Sequence, residues 1–214
     1  MSRDHRTRLN PEERRAQLLA LGVAFLADRS LDELTAEKLA TRAGVSRGLV
    51  FHYFRTLTGL HREIVATARD ALLIATAPQP ELPPIERLHD TLLRFVAFVR
   101  EHRGTFYSLV RGVASGDASV REVVDQARDA NADRLLDVFT EAGAPDSRLL
   151  RVALRSWVGF AEEALVELAV SGDDPADEIV AFLERSVKGV VDAAGGGVTR
   201  GGSARRLDLC GQPL

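Results

Sequence analysis

The stretch from Thr35 to Phe54, TAEKLATRAGVSRGLVFHYF, constrains the fold more than any other part of the chain, because it reads as two short helices joined by a glycine turn. Leu39, Ala40, Ala43, Val45, Val50 and Phe54 recur at spacings that let both helices close on one small core. Thr35 and Ser46 stand where a side-chain oxygen can accept from the orphan N–H groups of a first helical turn, and Gly44 between them suits a turn that needs a positive φ. The side chains left off that core form a surface of the kind a helix-turn-helix offers to DNA.

Every other long segment also has helical spacing, and no alternating run of β-branched residues argues for a strand. The predicted class is therefore all-α, with about nine helices. Asn10-Pro11-Glu12-Glu13 combines a cap, a first-position proline and first-turn acids, and starts a helix that buries Leu18, Gly22 and Phe25 and ends near Asp28. A fourth helix is expected from Leu57 to Thr76, after which prolines 78, 80, 83 and 84 forbid continuation. Five more follow: Ile85 to His102, Thr105 to Ala114, Ala118 to Ala142, Ser147 to Val170 and Pro175 to Ala194. The breaks between them fall at Gly104, Ser115-Gly116-Asp117, Gly143-Ala144-Pro145-Asp146 and the run from Ser171 to Pro175. Residues 195–214 hold too little apolar material to fold and are expected to be a disordered tail. This divides the chain into a DNA-facing unit over residues 1–62 and a larger helical unit over 63–194.

Charge is distributed unevenly along that division. Residues 1–62 carry 11 Lys or Arg against 7 Asp or Glu, a net of +4, whereas residues 63–214 carry 17 against 24, a net of −7. A basic N-terminal unit on an acidic remainder suits a protein that presents one end to a polyanion. The single cysteine, Cys210, excludes an internal disulfide or a multi-cysteine metal site, and no cofactor is implied. No apolar run reaches the roughly 18 residues of a membrane span, so a cytoplasmic protein with no membrane partner is expected. HExxH, GxSxG, P-loop and dinucleotide glycine patterns are all absent, which argues against an enzyme.

The run AGVSRGLVFHYF, preceded by LA and followed three residues later by a leucine, resembles the N-terminal domain of the TetR family of bacterial transcriptional regulators. The resemblance covers residues 11–62 at the level of motif, and the order of nine helices extends it to about residue 194. It implies a homodimer whose N-terminal units bind a palindromic double-stranded DNA operator and whose C-terminal helices enclose a pocket for a small-molecule inducer. With Val45, Val50 and Phe54 turned to the core, Arg47, Gly48, Leu49, Phe51 and His52 face the major groove. Arg47 can donate two hydrogen bonds to a guanine, Leu49 or Phe51 can pack on a thymine methyl, and Gly48 lets backbones approach. Thr35 and Tyr53 match family positions that touch phosphate, and Ser46 and Arg55 bracket the reading helix. Arg3, Arg6 and Arg8 form a basic arm ahead of the first helix. Two positions depart from the family pattern: Phe51 replaces the usual tyrosine and Leu57 the usual phosphate-gripping lysine, with Arg55 and Arg62 nearby as replacements. A three-helix unit that packs without touching DNA is the competing reading.

The larger unit needs another explanation, and ligand sensing and dimerisation are the expected ones. Thr91, Phe95, Phe98 and His102 share a face of the fifth helix, Phe106 and Tyr107 follow on the sixth, and Trp157 and Phe160 form a stripe on the eighth. These aromatics read either as ordinary core or as the lining of a mostly apolar ligand site. Asn131 falls in line with Val124 and Val138 and needs a partner from ligand or protein. Asp125, Asp129, Asp133 and Asp137, with Arg121, Arg128 and Arg134 nearby, read as a solvated, partly paired face. The last two helices are expected to form a four-helix dimer interface, with Leu154, Ala161, Leu165 and Leu168 meeting Ile179, Phe182, Leu183, Ser186 and Val190.

Overall fold

The computed structural model describes residues 9–112 and 117–195, which form nine α-helices and no strand. α1 (Pro11–Phe25) begins with a reciprocal capping box in which Asn10 Oδ1 accepts from the Glu13 N–H at 2.9 Å and the Asn10 N–H donates to Glu13 Oε2 at 2.8 Å. It stops at Phe25, short of the expected Asp28, because the Leu26 N–H turns back to the Val23 carbonyl. A short 3₁₀ turn, Leu31–Glu33, then leads into α2 (Ala36–Ala43) and α3 (Arg47–Phe54). Thr35 Oγ1 accepts from the Lys38 N–H and Ser46 Oγ from the Leu49 N–H, each at 3.2 Å, so both expected caps are present. Gly44 between them sits at φ 65° and ψ 36°, the left-handed turn that a residue with a Cβ enters only at a cost.

The remaining helices are α4 (Leu57–Ala75), α5 (Pro84–Glu101), α6 (Arg103–Gly112), α7 (Ala118–Glu141), α8 (Arg148–Leu165) and α9 (Ala176–Ala193). Two boundaries correct the sequence reading. Gly104, expected to break the chain between α5 and α6, lies inside the first turn of α6, and the break is at His102. α8 does not run regularly to Val170 but widens into a π-helical turn over Val166–Ser171. The break expected at Ser115-Gly116, the basic arm of Arg3, Arg6 and Arg8, and the tail beyond Gly195 lie outside the described residues.

Two apolar cores divide the molecule. One joins Leu18, Phe25, Leu39, Val50, Phe54 and Ile64 to Val120, Val123 and Val124 from the start of α7. The other joins Val96, Phe106, Leu150, Leu154, Trp157 and Leu183 from α5 to α9. Fully burying one such side chain stabilises by about 1.5–3 kcal/mol, so neither core is dispensable.

α4 links them: Leu60, Ile64 and Val65 fill the first core, and the far end of the helix packs along α7. His61 Nε2 meets the Leu34 carbonyl at 2.8 Å, and Arg15 pairs with Glu63, which fixes the first half of α4 to the reading unit. α6 makes a second seam, where Ser108 Oγ donates to the Leu26 and Arg29 carbonyls at 3.2 and 3.3 Å. No described helix is long and apolar enough to cross a membrane.

Candidate DNA-reading surface and ligand cavity

Val50 and Phe54 bury one face of α3, which leaves Arg47, Gly48 and His52 exposed and Leu49, Phe51 and Tyr53 half-buried around the edge. The Arg47 guanidinium lies over the Phe51 ring, 5.3 Å from its centroid, and has no carboxylate partner among the described residues. Its charge is thus held on an aromatic shelf at the start of α3 while its N–H donors stay available. His52 meets Tyr53 edge-on at 5.5 Å. Phe51 packs partly on the core below, which accounts for an apolar ring at a position where the family pattern has a hydroxyl.

Behind α3 the chain passes through Arg55 at φ 62° and ψ −50°, with the Thr56 N–H donating to the Phe54 carbonyl at 2.7 Å. This is the rarer, positive-φ form of the γ-turn, a strained geometry for a residue with a side chain. It reverses the chain directly into α4, whose first turn is capped by Thr56 Oγ1 accepting from the Gly59 N–H at 2.9 Å. Exposed Ser46 and, at the other end, exposed Arg55, Thr56 and Leu57 therefore flank α3, with the positive end of the α4 dipole following directly, while Thr35 is exposed at the start of α2.

The larger unit holds a cavity of about 80 Å³. Of the residues expected to face a ligand, Phe95, Phe106, Asn131 and Trp157 line it. Phe98, His102, Tyr107 and Phe160 do not. Phe98 and His102 pack at a tilt with ring centroids 4.4 Å apart where α5 ends, Tyr107 is exposed on α6, and Phe160 meets Phe182 at 5.8 Å on the surface. Their shared periodicity with cavity residues was misleading because a helix stripe spans more than a hundred degrees, and only part of it faces any one neighbour.

Thr91, on the same face of α5 as Phe95, lines the cavity too, whereas two polar residues in the lining, Arg134 and Glu162, were not expected from the sequence. The acidic face of α7 also differs from a simple solvated ladder. Arg155 of α8 pairs with Asp125 and Asp129, and Arg128 reaches Glu162 at 2.8 Å. Arg134 turns away from its aspartates to the end of α4, where it donates to the Leu73 carbonyl at 2.9 Å and to the Thr76 carbonyl and hydroxyl at 3.3 and 3.2 Å. Burial, and then the nearby Arg94 charge, hold the Arg134 guanidinium below its ordinary value.

Burial pushes the Glu162 carboxyl above the usual carboxylate range even with Arg128 beside it. The folded chain thus holds this proton more tightly than the unfolded chain, and the stability it contributes is present at acid pH and lost as pH rises through the raised value. In Glu162→Gln, which cannot titrate, that dependence disappears. Urea unfolding at stepped pH should show the wild type losing stability relative to the variant across this window; a difference that is constant or grows with pH would contradict the assignment.

The expected dimer residues are distributed differently from the sequence reading. Leu154, Ala161, Leu165, Ile179 and Leu183 are buried in the protomer's own core, so the pairing of α8 with α9 that they suggested forms within one chain. Ser186 is also engaged internally, its hydroxyl accepting from Trp157 Nε1–H at 2.9 Å, and Leu168 and Val190 are half-buried. The strongest apolar stripe of a helix serves the core first, and here a second stripe stays outside: Leu149, Val152 and Phe160 on α8 are 60%, 54% and 45% exposed, and Phe182 on α9 is 37% exposed.

Known proteins resemble the chain in both units. Residues 18–64 match the family model described as bacterial regulatory proteins, tetR family, and residues 84–189 match that of the tetracyclin repressor-like C-terminal domain. A solved tetR-family transcriptional regulator from Streptomyces coelicolor superposes with a TM-score of 0.76 at 28% identity, covering 87% of this chain and 84% of that one. A TetR-like transcriptional regulator from Rhodococcus sp. RHA1 gives 0.64 at 23% identity, over 89% and 100% of the two chains. Among characterised relatives, the nucleoid occlusion factor SlmA of Haemophilus influenzae is 28% identical over 96 residues, 44% of either chain, so the match spans less than half of that protein. The transcriptional activator FasR of Mycolicibacterium smegmatis is 24% identical over 195 residues, 90% of this chain and 86% of FasR.

Proposed function

Since the chain belongs to the TetR family of bacterial transcriptional regulators, we propose that it is a homodimeric, non-enzymatic repressor that reads a near-palindromic operator through α3 and is released by a small, mostly apolar molecule. The observation that carries this reading is the Arg47 guanidinium, exposed at the start of α3, supported on Phe51 and unpaired with any acid among the described residues. The DNA-facing set is Thr35, Ser46, Arg47, Gly48, Leu49, Phe51, His52, Tyr53 and Arg55. Arg47→Ala should cost about 1–3 kcal/mol at a matched site and relax base preference at one position of each half-site. Titration against an enriched operator and its single-base variants measures both, and unchanged affinity with unchanged preference would remove Arg47 from the reading set.

Release follows from the size of the cavity. Its volume is about half the roughly 150 Å³ that holds a benzene-sized guest. A larger ligand must therefore move the wall, part of which is Leu72 and Pro78 at the end of α4. Because the other end of α4 is fixed to the reading unit, such a ligand favours a different spacing or tilt of the two heads and shifts the population away from operator binding. FasR is a transcriptional activator, which favours a second reading in which the same coupling recruits rather than blocks transcription. A helical small-molecule-binding protein with a weakened head is the reading that Leu57 and Phe51 favour. Binding to random duplex at graded salt separates these: a regulator gives strongly salt-dependent binding plus a further gain of about a thousandfold or more at one sequence, and a weakened head gives neither.

A further inference from the structure

Arg134 makes one end of α4 depend on the chemistry of the cavity. Two arginines close the α4 C-terminus, and their electrostatic circumstances differ. Arg94 touches the Ala75 carbonyl at 3.4 Å and is neutralised by Asp90, with N–O distances of 2.5 and 2.9 Å. Among the described residues Arg134 has only carbonyls, the Thr76 hydroxyl and the Asn131 side-chain oxygen at 3.4 Å. Glu162, the other charged residue of the lining, is paired at 2.8 Å with Arg128, which lies outside the lining. Arg128 and Arg134 are six residues apart on α7, about 9 Å along its axis, so Glu162 sits well along the wall from Arg134. A mostly apolar cavity therefore carries one half-buried cation that is paired with no acid among the described residues and faces the partial negative charge of a helix end.

We infer that the cavity takes a carboxylate on an apolar body, and that its headgroup competes with the Leu73 and Thr76 carbonyls for Arg134. A carboxylate matches the guanidinium fork and offers full charge where the carbonyls offer partial charge. Occupation of Arg134 by the ligand frees the last turn of α4, while the apolar body spreads the Leu72 and Pro78 wall. The inference rests on the regulatory reading above and adds to it the ligand class and the residue that transmits its arrival. Arg134 is a binding residue for the headgroup and a positioning residue for α4.

Trp157, the sole tryptophan of the chain, lines the cavity and reports binding by its emission. The purified full chain is titrated with octanoate, decanoate and laurate, and with the alcohols and amines of the same chain lengths. Acids should bind about tenfold to a hundredfold more tightly than alcohols, and amines more weakly than either. In Arg134→Gln the ratio of acid to alcohol affinity falls to about one at each chain length; in Arg134→Lys, which keeps the charge, part of that ratio returns. Equal midpoints for acids and alcohols, an acid preference that survives in Arg134→Gln, or no saturable change with any series would overturn the proposal. Operator binding is followed on the same samples. Retained operator binding without acid preference overturns the ligand class alone, whereas acid preference without operator binding counts against the regulatory reading and supports the ligand class.

Discussion

Phe160→Arg should convert the protein to a monomer and weaken operator binding by on the order of a hundredfold or more. Phe160 is 45% exposed and stacks beside Phe182, so the ring contributes to a surface rather than to the protomer's core. If the outer stripe of Leu149, Val152, Phe160 and Phe182 is the two-fold interface, every substitution in it acts twice. Each ring has about half of its roughly 1.5–3 kcal/mol still to gain on pairing, about 2 kcal/mol for the two copies. Two arginines brought together at the same seam would add several kcal/mol of repulsion and desolvation. The sum, on the order of 4 kcal/mol, weakens association about a thousandfold. A single head then loses the effective concentration that its partner supplied, which is worth a factor of about 100 or more. Sedimentation at micromolar concentration checks the first claim and operator titration the second. A variant that stays dimeric would move the interface off this stripe.

Gly104→Ala should lower stability by about 3 kcal/mol, on the order of 10 °C in Tm. A Cβ at Gly104 would lie 1.6 Å from the Ala27 carbonyl oxygen and 2.4 Å from its carbon, and neither can rotate away because both are backbone. α6 must then withdraw from the loop after α1, stretching both Ser108 hydrogen bonds and displacing Phe106 from the cavity wall. Thermal unfolding of the variant measures the cost. Gly48→Ala is the control, since its nearest neighbour would be 3.9 Å away and α3 gains a better helix former. Equal melting of Gly104→Ala and wild type would mean that α6 does not press on the reading unit.

These two positions also mark where the sequence was hard to read. Caps are local events: Asn10 with Glu13, Thr35, Ser46 and Ser147 sit within three or four residues of the groups they satisfy and start helices where expected, and Gly44 closes α2 in the same local way. Gly104 looked like a break because a glycine between two helical runs usually is one; its actual reason, a backbone 77 residues earlier pressed against it, is a tertiary fact. The same holds for Arg134. Among aspartates spaced four apart it read as one more surface charge, but helical geometry turns it to the cavity edge, and its partners at Leu73 and Thr76 lie some 60 residues away. On α8, two apolar stripes compete for one core, and periodicity alone does not say which of them the protomer keeps.

Footprinting and stoichiometry on a sequence enriched from random duplexes test the account most directly. Two heads joined by a two-fold axis should select a near-palindrome, bind it as two protomers, and protect two patches about 34–36 Å apart on one face of the duplex. Binding by one protomer to an asymmetric site, or no enrichment above random duplex, would contradict it.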